Sequence, residues 1–343
     1  MPVQVLAKVD PPQFGLPTDT EPMESRSADA LPRDVGKWQY EPKWDGFRAL
    51  AFRAGDAVDL RGKSGKPLGR YFPEVVATLR NLPFERFILD GELVIEIGGR
   101  LSFDALQMRL HPAESRVRRL AAEMPARLVL FDCLLAPDGE ALIERPLQDR
   151  RRALESFGRK IAGYSGLAIT PFTRDPDEAE GWLAGYAGTD GVVAKRLDRP
   201  YESGQRAMIK VKRMRTADCV VGGFRYEQGR RIVRSLLLGL HDAEGRLDHV
   251  GFTSALGTVD RSKLTHRLEA LREPPGFTGK APGGPSRWST ERSGAWEPVR
   301  PELVAEVRFD HVSGGRFRHG TAFLRWRPDK SPRTCTMDQI AAM

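Results

Sequence analysis

The stretch Glu41-Pro42-Lys43-Trp44-Asp45-Gly46-Phe47-Arg48 sets a lysine two residues after one acid and two before another, with an arginine five positions on. An amine held beside other cations loses its proton more readily than a free one. A neutral lysine can attack phosphorus and become a covalent carrier. Lys-x-Asp-Gly also suits a surface lysine beside an Asp-Gly turn, so the tetrapeptide does not decide alone.

Other stretches carry related chemistry. Arg61-Gly62-Lys63-Ser64-Gly65-Lys66 is a cationic, glycine-containing loop, fit to cradle a phosphate or to stand as a solvated basic turn. It lacks the Gly-x4-Gly-Lys-Ser/Thr spacing, which excludes a Walker ATPase. Phe87 to Ile95 is an apolar strand pattern holding Asp90 and Glu92. Buried strands rarely carry unpaired carboxylates, because desolvation is costly. Either the pair sits at an Asp-Gly hairpin turn, or Glu92 faces a cleft; residues two apart on a strand share a face. Thr189-Asp190-Gly191 opens a strand that ends in Lys195 and Arg196. Ile209-Lys210-Val211-Lys212 puts two lysines on one face of a strand. Like charges side by side repel unless they meet an anion, so the pair marks a phosphate site or a lysine-guarded edge strand. Phe131 and Asp132 fall inside the apolar run Arg127 to Leu135, where a phenylalanine is core by default.

The elements that position these residues follow from pattern and punctuation. Residues 1–37 are rich in Pro, Asp, Glu and Ser and predict an extended lead-in draped over the surface. Trp38 to Arg53 predicts two short strands joined by a turn at Lys43 to Gly46. Phe72, Val75, Val76 and Leu79 fall at i, i+3, i+4 and i+7, predicting an amphipathic helix that ends before Pro83. Phe103, Leu106 and Leu110 predict another helix, and Arg145 to Phe157 a charged one. Arg116 to Arg119 is a basic surface run. Beyond Arg213 come short strand patterns at Cys219–Phe224, Ile232–Leu240 and Leu303–Phe309. Leu264, Leu268 and Leu271 mark a helix, and residues 273–298 a long loop. Several short strands with one helix in about 130 residues predict a small barrel, an OB-fold first among the options. The fold class expected is α+β: a domain of packed antiparallel sheets and helices over 1–213, then the barrel over 214–343.

Bulk properties narrow the class. The 343 residues suit two domains, or three, with ample core material at 40% hydrophobic. No apolar run approaches the ~20 residues of a membrane helix, and the N-terminus lacks a signal-peptide pattern. Cys133, Cys219 and Cys335 are odd in number and widely spaced, pointing to reduced thiols in a cytosolic protein. The net charge is +8, and from Arg215 onward 21 Lys+Arg stand against 15 Asp+Glu. Most of the excess therefore lies in the smaller C-terminal part, as in a module that faces nucleic acid.

Taken together and in order, these motifs resemble the covalent nucleotidyltransferases, and within them the ATP-dependent DNA ligases. The resemblance runs over essentially the whole chain. It is carried by Lys43-Trp44-Asp45-Gly46, Arg61-Gly62-Lys63-Ser64-Gly65, Leu89-Asp90-Gly91-Glu92-Leu93, Phe131-Asp132, Asp190-Gly191-Val192-Val193-Ala194-Lys195 and Ile209-Lys210-Val211-Lys212. Arg325-Trp326-Arg327-Pro328-Asp329-Lys330 resembles the family's last motif, on its OB domain. Length and wording are most similar to the small stand-alone bacterial ligases called ligase C, and to the ligase domain of the bacterial end-joining ligase.

The resemblance implies a nucleotidyltransferase domain followed by an OB-fold domain, and three steps: AMP transfer from ATP to Lys43, from Lys43 to the 5′-phosphate of a DNA nick, and sealing by the 3′-hydroxyl. It implies that Asp45 belongs to the catalytic motif and that Glu41 reads the adenine amino group. Phe131 stacks on the base, and Arg48 and Arg61 meet ribose, phosphates or DNA ends. Lys195 joins the nucleotide site, and Lys210 and Lys212 hold the α-phosphate. Glu92 and Asp190 face Mg2+ or Mn2+, and Arg327, Asp329 and Lys330 orient pyrophosphate. The family often carries Glu where this chain has Asp190, a side chain one methylene shorter. The implied partner is nicked double-stranded DNA, with a repair polymerase or end-binding protein in trans, for a monomeric, cytoplasmic, nucleoid-associated bacterial enzyme. Competing readings are a GTP-dependent capping guanylyltransferase, an RNA ligase, and a catalytically silent DNA-end-binding protein. The absence of a four-cysteine zinc pattern disfavours the NAD-dependent ligases.

Overall fold

The computed structural model describes residues 14–186, 189–283 and 295–341. The chain divides into two units between Lys212 and Arg213.

The first unit runs β1 (Ser25–Ser27), β2 (Trp38–Pro42), β3 (Phe47–Ala54), β4 (Ala57–Gly62), α1 (Pro73–Arg80), β5 (Arg86–Val94), the short hairpin β6 (Glu96–Ile97) and β7 (Arg100–Leu101), α2 (Phe103–Arg109), α3 (Glu114–Glu123), β8 (Arg127–Leu135), α4 (Leu147–Lys160), β9 (Leu167–Ile169), α5 (Pro176–Ala184), β10 (Gly191–Arg196) and β11 (Met208–Lys212). Two main sheets form, ordered β4-β3-β5-β8-β9 and β1-β11-β10-β2. Pairing is antiparallel except for β8 with β9 and β1 with β11.

Strand periodicity then sorts the side chains. In the five-stranded sheet, Ala49, Ala51, Phe87, Leu89 and Leu93 pack on one face with Val75, Leu79, Leu154 and Phe157 of α1 and α4. Leu50, Phe52 and Ile88 take the other face, in a core shared with Met208 and Val193 of the second sheet. In that second sheet Tyr40, Val192, Ala194, Ile209 and Val211 pack outward against Ala179 of α5. The opposite parity (Glu41, Lys195, Lys210, Lys212) therefore points to the inter-sheet side. So do Arg48, Asp90 and Glu92, which share the parity of Leu50 and Ile88.

Several expectations are corrected here. Residues 1–13 of the expected lead-in lie outside the described residues, and residues 14–37 do more than drape: β1 adds a strand beside β11, and Phe14, Met23 and Leu31 are buried core residues. Their apolar side chains are too widely spaced to show a period. β2 and β3 are joined by the Lys43–Gly46 loop as expected, but they enter different sheets, so the loop bridges the two sheets. Gly46 lets it do so, because a Cβ there would lie 2.0 Å from the Leu93 carbonyl oxygen. Asp90 and Glu92 lie mid-strand in β5 and not at a hairpin turn. β11 is flanked on both sides and is not an edge strand.

The second unit comprises β12 (Arg215–Tyr226), β13 (Val233–His241), β14 (Leu247–Ala255), α6 (Arg261–Ala270), β15 (Glu297–Pro298), β16 (Val304–Phe309), β17 (Val312–Ser313), β18 (Arg316–Phe317) and β19 (Thr321–Trp326). The order β12-β13-β14-β19-β16 returns to β12, closing a five-stranded barrel. This is the OB-fold, with the edges that aggregate in open sheets removed by closure. Leu264 and Leu268 of α6 enter the barrel core with Phe224, Leu238 and Phe309. Part of the loop expected over 273–298 lies outside the described residues. Among the described residues no helix is long and apolar enough to cross a membrane.

Candidate active site

The inter-sheet face of the first unit opens into a cavity of about 250 Å³ whose walls include Glu41, Lys43, Arg48, Glu92, Phe131 and Lys195. Five strands supply them: β2 carries Glu41 and leads into Lys43, and β3, β5, β8 and β10 carry Arg48, Glu92, Phe131 and Lys195. Lys43 follows β2 directly, and its backbone is clasped to the start of β10: its N–H donates to the Gly191 carbonyl at 2.8 Å, and its carbonyl accepts from Asp190 N–H at 2.9 Å. The loop is therefore an extension of the β2–β10 ladder, which fixes where the side chain begins.

The Lys43 ammonium donates to Asp190 Oδ2 at 2.9 Å. Burial pushes its pKa down, but Asp190, with Glu92 and Asp45 behind it, outweighs burial and leaves it above the ordinary lysine value. This reverses the expectation that neighbouring cations would weaken the lysine's hold on its proton. Lys210 shows that effect instead: burial first, then Lys212, Lys43 and Lys63, lower its pKa. Glu92 is half-buried, and burial raises its carboxyl to about 7 against the pull of Arg48 and Lys43. Carboxylate oxygens of Asp45 and Asp190 lie within 4.8 Å of one another.

Phe131 owes its place to a break in the ladder. Asp90 pairs with Asp132 and Gly91 with Leu130, so residue 131 is the extra residue of a bulge in β8. Bulges re-aim side chains, and this one turns a residue of a core strand toward the cavity. The residue is only 8% exposed, with the Arg48 guanidinium carbon 4.5 Å and Lys195 Nζ 4.6 Å from its ring centroid. The core reading and the cavity reading of Phe131 are thus both true of one side chain.

Arg48 is locked from behind. Its Nε donates to Asp90 Oδ1 at 2.6 Å and its Nη2 to Asp90 Oδ2 at 2.5 Å. Tyr201 Oη donates to the same Oδ2 at 2.6 Å and accepts from Met23 N–H at 2.9 Å. Asp90 is thereby explained as a fully buried anchor rather than a turn residue. Lys195 Nζ reaches Glu41 Oε2 at 2.7 Å and the Phe131 carbonyl at 3.1 Å, tying β10, β2 and β8 together. Beneath Phe131, Asp132 takes two hydrogen bonds from Arg150 of α4, at 2.7 and 3.1 Å.

Not every expected residue lines the cavity. Arg61 turns back onto its own loop, donating to Asp59 at 2.8 Å and to the Gly65 carbonyl at 3.1 Å. Lys63 of that loop reaches the cavity instead, paired with Glu24 at 3.0 Å. Lys210 and Lys212 share the face of Met208, a wall residue. Trp44 lies on the wall, with its indole N–H on Thr170 Oγ1 at 2.8 Å. Arg327 and Lys330 belong to the second unit, where both converge on Asp218, at 2.9 and 2.8 Å. Sequence reasoning finds Lys63 only as part of its cationic loop, and does not find Gln39, Arg150 or Tyr201. Of the three not found, Gln39 alone carries a signal, lying two residues before Glu41 on the same strand face.

The chain is similar to known proteins over most of its length. Residues 22–212 match the model of the ATP dependent DNA ligase domain, and residues 229–330 that of the ATP dependent DNA ligase C terminal region. The chain is 44% identical over 331 residues to DNA ligase C1 of Mycolicibacterium smegmatis, covering 93% of each chain. It is 33% identical over 306 residues to the multifunctional non-homologous end joining protein LigD of Mycobacterium bovis, covering 87% of this chain and 37% of that one. A solved structure of mycobacterial DNA ligase D complexed with ATP and MES covers 93% of this chain and 98% of its own, at 28% identity and a TM-score of 0.50.

Proposed function

Because this chain belongs to the ATP-dependent DNA ligase family, we propose that Lys43 is the amine that carries AMP and that the cavity around it holds the adenosine. The observation that carries this reading is the convergence of Lys43, Glu41, Phe131, Arg48 and Lys195 on one cavity.

In the first step Lys43 Nζ, having given up its proton, attacks the α-phosphorus of ATP. The N–P bond forms, the bond from that phosphorus to the bridging oxygen breaks, and pyrophosphate leaves. Asp190, 2.9 Å from Nζ, is within reach of the proton and holds the amine on line beforehand. An oxygen of the 5′-phosphate at a nick then displaces Lys43 from phosphorus. Finally the 3′-hydroxyl attacks the activated 5′-phosphorus, AMP leaves and the phosphodiester closes. Such transfers need positioning and charge neutralisation more than covalent help from side chains.

Phe131 offers the base a flat face, and Glu41 an acceptor for its exocyclic amine. Arg48, held rigid by Asp90, meets the ribose or the DNA end. Lys210 and Lys212 face the α-phosphate, where a Lys210 ammonium of lowered pKa gains from an anion. Arg61 acts by shaping the loop that presents Lys63. Arg327 and Lys330, poised on Asp218, orient pyrophosphate.

Mg2+ or Mn2+ fits the donor set of Glu92 and Asp190, with Asp45 beside it, since all are hard carboxylate oxygens. Such an ion, when bound, neutralises phosphate charge and favours the ionised form of Glu92.

The substrate is nicked duplex DNA rather than an RNA 5′ end; the name of the relative DNA ligase C1 supports DNA as the substrate class. The role is DNA repair, in the bacterial cytoplasm and at the nucleoid, as a monomer working with a polymerase or end-binding protein in trans. The end-joining relative supports that role. Incubation with α-32P-ATP and Mg2+, then a nicked-duplex chase, tests the scheme. Label on the protein that is lost as the nick seals supports it; label only from GTP overturns it.

A further inference from the structure

Gln39 is fully buried, belongs to no motif and is not itself a wall residue of the cavity. Its side chain stands behind Glu41 on the same face of β2. Gln39 Nε2 donates to Glu41 Oε1 at 2.7 Å, while Lys195 holds the other oxygen, Oε2, at 2.7 Å. Gln39 Oε1 has no hydrogen-bond partner although it is buried. A buried acceptor without a donor costs free energy, so an apolar residue of this size would be the less costly occupant.

The geometry of the pair accounts for this cost. Exchanging the amide O and N would set Oε1 against a Glu41 oxygen at the same 2.7 Å, two acceptors facing each other. The amide is therefore oriented by the carboxylate, and the orphaned oxygen is what remains after Gln39 has satisfied Glu41. Arg151 adds a second constraint: its Nη1 is also buried without a hydrogen-bond partner, 4.0 Å from Glu41 Oε1. Its Nη2 is committed to the Thr170 carbonyl at 2.9 Å.

We propose that Gln39 is a positioning residue for nucleotide choice: with Lys195 it fixes Glu41 so that the cavity presents an acceptor-only edge to a purine bearing an exocyclic amine. With one donor on each oxygen, Glu41 cannot swing toward solvent, and it offers the ligand only lone pairs. A 6-amino purine supplies the N–H that this edge needs. A 6-oxo purine brings an acceptor to an acceptor, and a site built on buried polar groups rejects such a mismatch strongly. Gln39 acts through Glu41 and touches no reacting atom. The inference rests on the reading of Lys43 as the AMP carrier and of this cavity as the base site.

The test compares α-32P-labelled ATP and ITP as donors for lysyl-nucleotide formation by the full chain, in wild type, Gln39→Met, Glu41→Ala and the double variant. Met matches the length of Gln and removes the donor together with the orphaned acceptor. Gln39→Met is expected to raise the KM for ATP and to lower the ATP-over-ITP preference by roughly tenfold, the worth of one hydrogen bond to a charged group, with kcat at saturating ATP retained. In the Glu41→Ala background the same substitution is expected to change the preference no further. An unchanged preference in Gln39→Met, or an equal additional loss on top of Glu41→Ala, overturns the proposal. Should Gln39→Met not fold, Gln39→Glu sets one carboxylate against the other in the same volume, and retained wild-type preference there overturns it equally. A wild type that labels with ATP but does not prefer it to ITP defeats this inference alone. A wild type that takes no label defeats the Lys43 reading, and this inference with it.

Discussion

Replacing Arg150 by Met should destabilise the first unit by an amount that depends on pH in a defined direction. Arg150 and Asp132 are each 1% exposed. The guanidinium makes two bonds to Asp132 and two more to the carbonyls of Arg145 and Arg199. Burial raises the Asp132 pKa, but Arg150 outweighs it and the carboxyl ends below its usual value. The wild-type contribution is thus present above the unfolded pKa and lost only as pH falls through the lower, folded one. Without Arg150, burial is opposed chiefly by Lys195 and the Cys133 amide, and the folded pKa rises. Stability is then lost as pH climbs above the unfolded value of about 4. Removing one partner of a buried pair costs about 3–5 kcal/mol, and that gap should be widest at about pH 7.5. It should narrow by up to about 1.4 kcal/mol per pH unit as acidification protonates Asp132. Urea unfolding at about pH 5.5 and 7.5, read through hydrogen-exchange protection of the β8 amides, measures it. A loss under about 1 kcal/mol at the higher pH refutes the reasoning, as does a loss that grows on acidification.

Glu92 carries the opposite sign. Its folded carboxyl is raised to about 7 by burial, so stability should fall as pH rises from the unfolded value toward 7. Glu92→Gln should therefore stabilise the metal-free protein at about pH 8 by roughly 1–3 kcal/mol while impairing Mg2+-dependent labelling; a destabilised variant would contradict this. Lys330→Ala should slow labelling from ATP at least about tenfold more than sealing of pre-adenylylated nicks, because pyrophosphate is present only in the first reaction. Equal losses in both assays would remove Lys330 from pyrophosphate handling.

Much of this site was legible because strand parity is legible. The alternation in Ile209–Lys212 and the acids at 90 and 92 each put charge on a determinate face, and the fold turns those faces toward one another. What could not be read was which charges would meet. Lys43 and Asp190 are 147 positions apart, and their pairing reverses the expected direction of the lysine's pKa. The Phe131 bulge leaves no mark in an apolar run, since a bulged and a regular strand share one composition. Tyr201 and Arg150 look like ordinary surface or core residues until the partner carboxylates are in place. The three-residue strand β1 has no period to detect, and its stability comes from its neighbour β11.

The central claim is that Lys43 Nζ forms the bond to AMP. Wild-type protein and Lys43→Ala, each shown to be folded, should be incubated with α-32P-ATP and Mg2+ and resolved on a denaturing gel. The wild type should carry label that is lost as a nicked duplex is sealed, and the variant should carry none. Label retained by Lys43→Ala would contradict it.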